Sequence, residues 1–357
     1  MKTMEQRDKT RSLLINHYQS YPKLKIQDVF KFLHQSSFGC EHLVTSTESV
    51  SDYILKEYSG ISSEGGAVIE ELDGDYCRVP LSYMKDGLSA KTLGGLFFAS
   101  AKKEPDGKKA LLRKLETAKE LIKEGALPFS PDEYEKAIVD WETDGYRAVH
   151  HSDTFREEYK PSYRVIAKEY VPFLPLFTAI DKLLAKGSVR MAVEGGSASG
   201  KTTLGRLLSV VYDCTVFHMD DFFLRPEQRT PERYAEAGGN IDRERFVAEV
   251  LQPLSKGKKV NYRRFDCSTM SVVEGVKVTP ERLVVIEGAY SMHPQFEKYY
   301  DLSVFLNVSS ALQKERILKR NSPETAKRFF EEWIPLEHKY FFEMNVLERC
   351  DMHISII

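Results

Sequence analysis

Cysteine is scarce in this chain and is spread thinly along it. The five cysteines form no C-x-x-C pair; they are Cys40, Cys77, Cys214, Cys267 and Cys350. This usage is typical of free thiols in a reducing compartment. We therefore expect a cytoplasmic protein.

Long apolar runs, strong net charge and internal repeats are also missing. No apolar run approaches the ~18–20 residues that a membrane span needs. The N-terminal stretch M-K-T-M-E-Q-R-D-K lacks the apolar core of a secretory signal. The net charge of −2 gives no reason to expect a nucleic-acid partner. The composition is that of an ordinary globular protein, and the length of 357 residues suggests about two domains.

One stretch carries a specific chemical pattern. Gly195, Gly200, Lys201 and Thr202 fit G-x-x-x-x-G-K-[ST], the phosphate-binding loop. Small residues let such a loop turn tightly, so that its N–H groups point at phosphate oxygens. We expect Lys201 to bridge the β- and γ-phosphates of ATP and the Thr202 hydroxyl to ligate Mg²⁺. The candidate ATP-binding residues are Gly195, Gly196, Ser197, Ala198, Ser199, Gly200, Lys201, Thr202 and Thr203.

The flanks of this loop have the character that the motif requires. The apolar run 191–193 favours a buried parallel strand before it. Leu204, Leu207, Leu208 and Val211 recur at helical spacing after it. The sequence therefore predicts a strand, a loop and a helix that begins near Lys201 and directs its positive dipole end at the same anion.

The rest of the second block alternates strand and helix patterns. Strands are predicted at 215–219, 283–287, 302–306 and 352–357, and helices at 245–254 and 311–321. This alternation predicts an α/β fold, a P-loop NTPase-type parallel sheet flanked by helices. Asp220 and Glu287 each follow a strand, so we expect the fold to gather them with Gly195 at one edge of the sheet. We place this domain at 171–357.

The first block, residues 1–170, predicts a mainly helical (α+β) domain of unknown role. Helical spacing appears at 11–18, 26–34, 50–58 and 108–124, and Ser130 with Glu133 indicates a capped helix start. A short strand is predicted near 76–81, where Pro80 favours an edge position.

Two polar spots in this block could be sites. One contains His34, Cys40, Glu41 and His42; the other contains His150, His151 and Ser152. Neither has a recognised metal-ligand spacing. Capped helix ends and hydrogen-bonded histidines are the favoured interpretation, and a ligand pocket stays open beside it.

Taken together, the motifs of residues 189–357 resemble the phosphate-loop kinase family that includes uridine kinase, phosphoribulokinase and bacterial pantothenate kinase. The resemblance depends on an ordered set of motifs: G-G-S-A-S-G-K-T-T at 195–203, M-D-D-F-F at 219–223, N-I-D at 240–242, V-V-I-E-G at 284–288 and R-I-L-K-R at 316–320. Residues 1–170 lie outside it.

The resemblance implies a role for each matching residue. Asp220 would be the catalytic base, unless Asp221 takes that role, and Glu287 would hold Mg²⁺ together with Thr202. Arg316 and Arg320, four residues apart, would reach the triphosphate from the start of a lid, and Arg328 could belong to the same lid. The acceptor would be bound by Asp220, Asp242, Tyr262, Arg264, Phe265 and Asp266.

This chain also departs from the family pattern near the lid. Gln313 stands where some members carry another arginine, and N-S-P at 321–323 breaks the lid helix early. Both departures concern how the lid closes.

The leading functional hypothesis is an ATP- and Mg²⁺-dependent kinase for a hydroxyl of a nucleoside or related small molecule. A kinase for an anionic acceptor is the second hypothesis, because arginines at 225, 229, 233, 263 and 264 lie near the acceptor region, although interleaved glutamates could pair with them. A nucleotide-binding regulator without turnover is the third. A GTPase is the fourth, and the guanine-selecting N-K-x-D motif that it would need is absent. We expect a small-molecule partner, no nucleic acid and no membrane.

Overall fold

The computed structural model describes residues 2–40, 47–60, 68–101 and 106–356. The chain forms two compact units, residues 1–171 and residues 172–357. None of the helices in these described ranges has the length and apolar character needed to cross a membrane.

The N-terminal unit is mainly helical, as predicted. Its helices are α1 Lys2–Ser20, α2 Ile26–Phe38, α3 Thr47–Tyr58, α4 Ala90–Ala99, α5 Gly107–Lys123, α6 Pro131–Thr143 and α7 Asp153–Tyr159. Its core consists largely of apolar residues at helical spacing on α1, α2 and α5, such as Leu14, Leu33, Leu111 and Leu115.

The edge position predicted for the short strand of this unit is wrong. Its three strands are β1 Glu70–Glu71, β2 Tyr76–Pro80 and β3 Tyr163–Ala167, and β2 lies in the middle of the sheet. Pro80 is tolerated because it is the last residue of β2. β1 pairs only with Cys77 and Arg78, so no partner on that side needs the missing N–H of Pro80.

The capping prediction for α6 is only half right. Ser130 occupies the N-cap position, but its hydroxyl makes no capping hydrogen bond among the described residues. Pro131 at the start of the helix fixes a helical φ, and Asp132 and Glu133 place negative charge in the first turn. These features favour the helix start without the side-chain cap.

The C-terminal unit is built on a parallel sheet, which confirms the predicted fold class. Its strands are β4 Val189–Gly195, β5 Cys214–His218, β8 Leu283–Glu287, β9 Leu302–Val308 and β10 Met352–Ile356, and their order across the sheet is β10-β9-β4-β8-β5. All four pairings are parallel. β4 is the central strand, and its apolar residues are buried because it has neighbours on both sides.

Helices flank this sheet. They are α8 Leu174–Leu184, α9 Lys201–Val211, α10 Pro231–Ala235, α11 Arg243–Phe246, α12 Gln252–Ser255, α13 Ser310–Arg320, α14 Pro323–Arg328, α15 Ile334–Glu343 and α16 Val346–Arg349. A π-helical turn, Val247–Leu251, connects α11 to α12, so the helix predicted at 245–254 is interrupted by wider turns. A second π-helical turn, Phe329–Trp333, precedes α15.

An antiparallel hairpin was missed in the sequence. β6 Val260–Asp266 pairs with β7 Ser271–Val278, with a register shift between Arg263 and Arg264. The connection contains no Asn-Gly or Asp-Gly signal, and Met270 takes the positive φ of 54° instead. β7 is largely solvent-exposed, so its sequence carries little of the burial pattern on which strand prediction depends.

Candidate active site

The phosphate loop leaves the end of the central strand and enters α9. Gly195 and Gly200 have φ values of 149° and 101°, which favour glycine. A Cβ on Gly195 would lie 2.6 Å from the carbonyl oxygen of Leu306 on the neighbouring strand. Ala198 also takes a positive φ, 59°. The loop therefore has the tight turn that the motif predicted.

Lys201 lies against its own loop. Its Nζ donates to the carbonyl oxygens of Gly195 at 2.8 Å and Gly196 at 2.9 Å. These contacts hold the ammonium group over the turn, where a phosphate would approach. The hydroxyl of Ser199 is buried and has no hydrogen-bond partner among the described residues. Thr203 follows on the exposed face of the first turn of α9.

Thr202, Glu287 and His218 form a connected group at the ends of three elements. The Thr202 hydroxyl donates to Glu287 Oε1 at 3.1 Å, and His218 Nδ1 lies 2.6 Å from the same oxygen. Glu287 is buried, and its hydrogen bond to His218 raises the pKa of that imidazole.

This group suits Mg²⁺, which prefers oxygen ligands and keeps several waters. In the described part of the chain, no cluster of three or more His, Cys, Asp or Glu side chains is arranged to hold a metal ion. The Thr202 hydroxyl and the Glu287 carboxylate would be the protein ligands of such an ion, with phosphate oxygens and water completing the shell.

Asp220 and Asp221 lie in the short turn that follows β5. Asp220 is exposed at its surface. Partial desolvation raises its pKa; the charge of Lys201 opposes this rise and that of Glu287 adds to it. Desolvation also raises the pKa of Asp221, whose Oδ2 accepts a hydrogen bond from the Tyr262 hydroxyl at 3.3 Å. The fold thus brings Asp220, Lys201 and Glu287 within electrostatic reach of one another.

The hairpin supplies most of the predicted acceptor residues. Tyr262 contacts Asp221, and the charge of Arg264 opposes the rise in the pKa of both groups that desolvation causes. Phe265 is buried under the guanidinium of Arg229, whose Cζ is 5.6 Å from the ring centroid. Asp266 accepts from the N–H of Ser268 at 2.8 Å and from its hydroxyl at 2.6 Å, so its carboxylate stabilises the hairpin turn.

Asp242 is engaged within the protein. It caps α11 by accepting from the Arg245 N–H at 3.1 Å, and its second oxygen accepts from Gln228 at 3.1 Å and Arg245 Nε at 3.4 Å. Only 4% of this residue is exposed. The geometry accounts for Asp242 as a cap, and its contact with an acceptor stays a prediction.

The two predicted lid arginines occupy different surroundings. Arg316 donates to the Ala198 carbonyl in the phosphate loop at 3.1 Å, whereas Arg320 lies over the Phe329 ring at 5.9 Å. The early end predicted for the lid helix is confirmed, because α13 stops at Arg320 and Ser322 caps α14. Arg328 pairs with Glu332 on an exposed surface.

Three carboxylate and hydroxyl groups around the loop were missed. Glu194 is fully buried and accepts from the Gly195 N–H at 2.8 Å and from Tyr340 at 3.0 Å; burial raises its pKa to about 7. Glu337 accepts from the Ser197 N–H at 2.9 Å. The V-E-G sequence, a carboxylate at the end of an apolar strand, is a local signal for Glu194. Nothing local signals Glu337 or Tyr340.

The described histidines of the N-terminal unit do not form a common site. His151 bridges Asp28, at 3.0 Å, and the Tyr163 hydroxyl, at 2.7 Å. His34 packs against Phe38 with ring centroids 4.8 Å apart, and His150 is exposed. Glu41 and His42 lie outside the described residues.

The parallel sheet and the phosphate loop after its central strand define the C-terminal unit as a P-loop NTPase-type fold. Residues 191–328 match the Phosphoribulokinase / Uridine kinase family. The match makes this segment similar to that family, and residues 1–171 lie outside it.

Individual relatives are distant. Uridine-cytidine kinase-like 1 of Mus musculus is 24% identical over 153 residues, which are 40% of this chain and 28% of that protein. The solved structure of a possible uridine kinase from Bacillus stearothermophilus is 20% identical, with 50% of this chain and 99% of that one covered and a TM-score of 0.38. Shikimate kinase from Bacteroides thetaiotaomicron is 16% identical, with 47% and 85% covered and a TM-score of 0.25.

Proposed function

We propose that the C-terminal unit transfers the γ-phosphoryl group of ATP to a hydroxyl of a nucleoside or a related small polyol. The observation that carries this proposal is the grouping of Asp220 with Lys201 and the Thr202–Glu287 pair at one edge of the sheet. A phosphate-binding cation, a pair of oxygen ligands and a free carboxylate are the parts that phosphoryl transfer requires.

Each group has a defined task in this reaction. Lys201 exchanges its bonds to the loop carbonyls for phosphate oxygens, and Asp220 takes the proton of the acceptor hydroxyl. The acceptor oxygen then bonds to the γ-phosphorus as the bond to the bridging oxygen breaks, and ADP leaves. Thr202 and Glu287 would hold Mg²⁺, which supplies charge neutralisation across the phosphates. Arg316 and Arg320 would reach the triphosphate from α13.

An anionic acceptor is less well supported, because the nearby arginines are mostly engaged. Arg233 and Arg263 pair with Glu244 and Glu249, and Arg229 donates to the Leu224 carbonyl. Arg225–Arg233 is also divided between a 3₁₀ turn and α10, so these side chains do not line one helix face. Arg264 is the arginine that we expect to meet a charged acceptor, since it is exposed and its charge acts on Asp221 and Tyr262.

The test is ADP release measured with ATP or GTP and a panel of acceptors: nucleosides, neutral polyols, sugar phosphates and hydroxy-carboxylates. The proposal expects ADP release that depends on ATP, Mg²⁺ and a neutral acceptor, in the wild type and not in Asp220→Asn. Nucleotide binding without release under any acceptor would favour a regulatory protein. Acceptor-independent release from GTP would indicate a GTPase.

An Arg264→Gln variant separates the two acceptor classes. An anionic acceptor predicts a large rise in its KM in this variant and strong salt dependence in the wild type. A neutral acceptor predicts little of either. Location in the cytoplasm stays a prediction from the free cysteines.

A further inference from the structure

Every polar group of Ser197 in the phosphate loop is bound by a side chain from far along the chain. Its N–H donates to Glu337 Oε2 at 2.9 Å and its hydroxyl to Glu337 Oε1 at 2.6 Å. Its carbonyl oxygen accepts from Gln313 Nε2 at 2.8 Å. Side chains of α13 and α15 thus hold one loop residue through three hydrogen bonds.

The hydrogen bonds from Ser197 stabilise the buried carboxylate of Glu337. The residue is 5% exposed, and no lysine, arginine or histidine of the described residues forms an ion pair with it. A buried carboxylate without a cation needs strong hydrogen bonds. Two donors from Ser197 supply them.

The same face of α15 holds a second point of the loop. Tyr340, one turn beyond Glu337, donates to buried Glu194, which accepts from the Gly195 N–H. Gly196 lies between the two anchors, and a Cβ there would be 3.1 Å from Gln313 Nε2 and 3.5 Å from Glu337 Oε2. The outer side of the loop is therefore packed against α13 and α15 along 195–197.

We propose that Glu337 is a positioning residue that fixes the phosphate loop in the form that receives ATP. Glu337 orients Ser197 by accepting from its N–H and its hydroxyl. The loop therefore loses little conformational entropy when the triphosphate binds. The N–H of Ser197 is thereby committed to Glu337, and phosphate recognition falls to the later N–H groups of the loop and the first turn of α9. This inference rests on the proposed nucleotide site.

The experiment compares Glu337→Gln, Ser197→Ala and the double variant by calorimetric titration with ATP·Mg²⁺ and with adenosine. We expect Glu337→Gln to raise the Kd of ATP about tenfold or more, from the lost charge-assisted hydrogen bond, and to leave the Kd of adenosine unchanged. Ser197→Ala should have a smaller effect, and the double variant should bind ATP no more weakly than Glu337→Gln alone, because both changes break the same contact.

Glu343→Gln is the matched control, since Glu343 is an exposed glutamate at the end of the same helix. It should behave like the wild type. Should Glu337→Gln fail to fold, Gln313→Ala tests the same loop residue through its carbonyl and should also weaken ATP binding selectively.

Three results would overturn the inference. Unchanged ATP binding in Glu337→Gln would show that the contact does not set the loop, and tighter binding would show that the carboxylate repels the nucleotide. Fully additive effects of the two single variants would equally contradict it. Because binding is measured, the outcome is separable from the proposed function: wild type that binds ATP but phosphorylates no acceptor defeats only the latter.

Discussion

Both units of the molecule contain a carboxylate hydrogen-bonded to the Nδ1 atom of a histidine, and the pairs Asp28–His151 and Glu287–His218 differ in how far water reaches the imidazole. In the N-terminal unit, Asp28 and His151 have side chains that are 0% and 6% exposed. In the C-terminal unit, Glu287 is 6% exposed but His218 is 47% exposed.

This difference reverses the direction of the histidine pKa. Burial dominates at His151 and lowers its pKa to about 4, although Asp28 opposes the shift. At His218 the hydrogen bond to Glu287 dominates and raises the pKa. A carboxylate partner therefore does not by itself define a proton-transfer site; access of water to the imidazole decides which effect prevails.

The surroundings of the two pairs agree with this distinction. Asp28 also accepts from the Ser152 hydroxyl at 2.6 Å and the Ser152 N–H at 3.0 Å, which ties α2 to the start of α7. Glu287 shares its Oε1 with Thr202 at the mouth of the phosphate loop. The first pair links structural elements, and the second belongs to the candidate active site.

The largest effect is expected at the candidate active site of the C-terminal unit. Asp220→Asn should lower kcat ~10²–10⁴-fold while ATP binding stays nearly intact, because only proton removal is lost. Asp221→Asn, the neighbouring control, should lower kcat much less, and Lys201→Ala should weaken both ATP binding and rate. Steady-state kinetics with ATP titrations decide between them. Near-normal turnover in Asp220→Asn would remove that residue as the base.

Removing each carboxylate sharpens the comparison. Asp28→Ala should destabilise the protein by about 3 kcal/mol, since several buried donors lose their acceptor. Glu287→Ala should reduce the free energy of unfolding much less, but it should raise the Mg²⁺ concentration that turnover requires. Urea unfolding followed by circular dichroism measures the first effect and Mg²⁺ titration of turnover the second. Equal loss of stability in the two variants would contradict the distinction.

The Asp28–His151 pair should contribute to the pH dependence of stability. A neutral His151 is favoured in the fold, so its contribution is present above its ordinary pKa of ~6.5 and is lost as the pH falls from there towards about 4. Burial alone would raise the pKa of Asp28, but hydrogen bonds from His151, Ser152 and the Lys25 N–H lower it to about 2. Its contribution is therefore lost between about 4 and 2, in the same direction.

His218 should titrate the opposite way. Its raised pKa means that any stabilisation is present at low pH and lost as the pH rises through the folded pKa. NMR titration of the imidazole Cε1 protons should place His151 below and His218 above the ordinary value. The Glu287→Gln variant should return His218 towards that value. A His151 that titrates normally would break the comparison.

The smallest effect is expected from separating the two units. A fragment that starts at Val171 should bind ATP·Mg²⁺ about as tightly as the full chain, because the proposed phosphate-handling residues lie after it. Calorimetric titration of both proteins provides the measurement. An unfolded fragment would show that the units share a core.

Local patterns were sufficient to predict the framework of the site. The apolar run before Gly195, the helical spacing after Lys201 and the acid after Leu283–Ile286 each report a backbone state within a few residues, and the rules of parallel sheets then bring their ends together. The edge prediction for β2 failed because Pro80 reports only its own missing N–H and not the number of neighbours that the strand has.

The contacts that hold the loop are not local. Ser197 and Glu337 are separated by most of the C-terminal unit, and nothing near either residue indicates the other. Asp242 is a second case: its motif predicts an acceptor contact, which stays a prediction, and gives no sign of the helix cap that the structure shows. Residue type and spacing predict which groups are available, and tertiary packing decides how each is used.

The central position of β4 has a consequence for how the protein is made. Val189 pairs with Leu283 and Met191 with Leu302, so the strand that bears the phosphate loop leaves the ribosome long before either neighbour exists. The N-terminal unit ends at residue 171, and if it is separable as predicted, it would fold during this interval. Until β8 and β9 are synthesised, both edges of the apolar strand β4 are unpaired. Nascent chains in this condition aggregate or recruit chaperones. Translation that stalls before residue 302 would therefore release a chain that contains the whole N-terminal unit and an exposed, aggregation-prone β4.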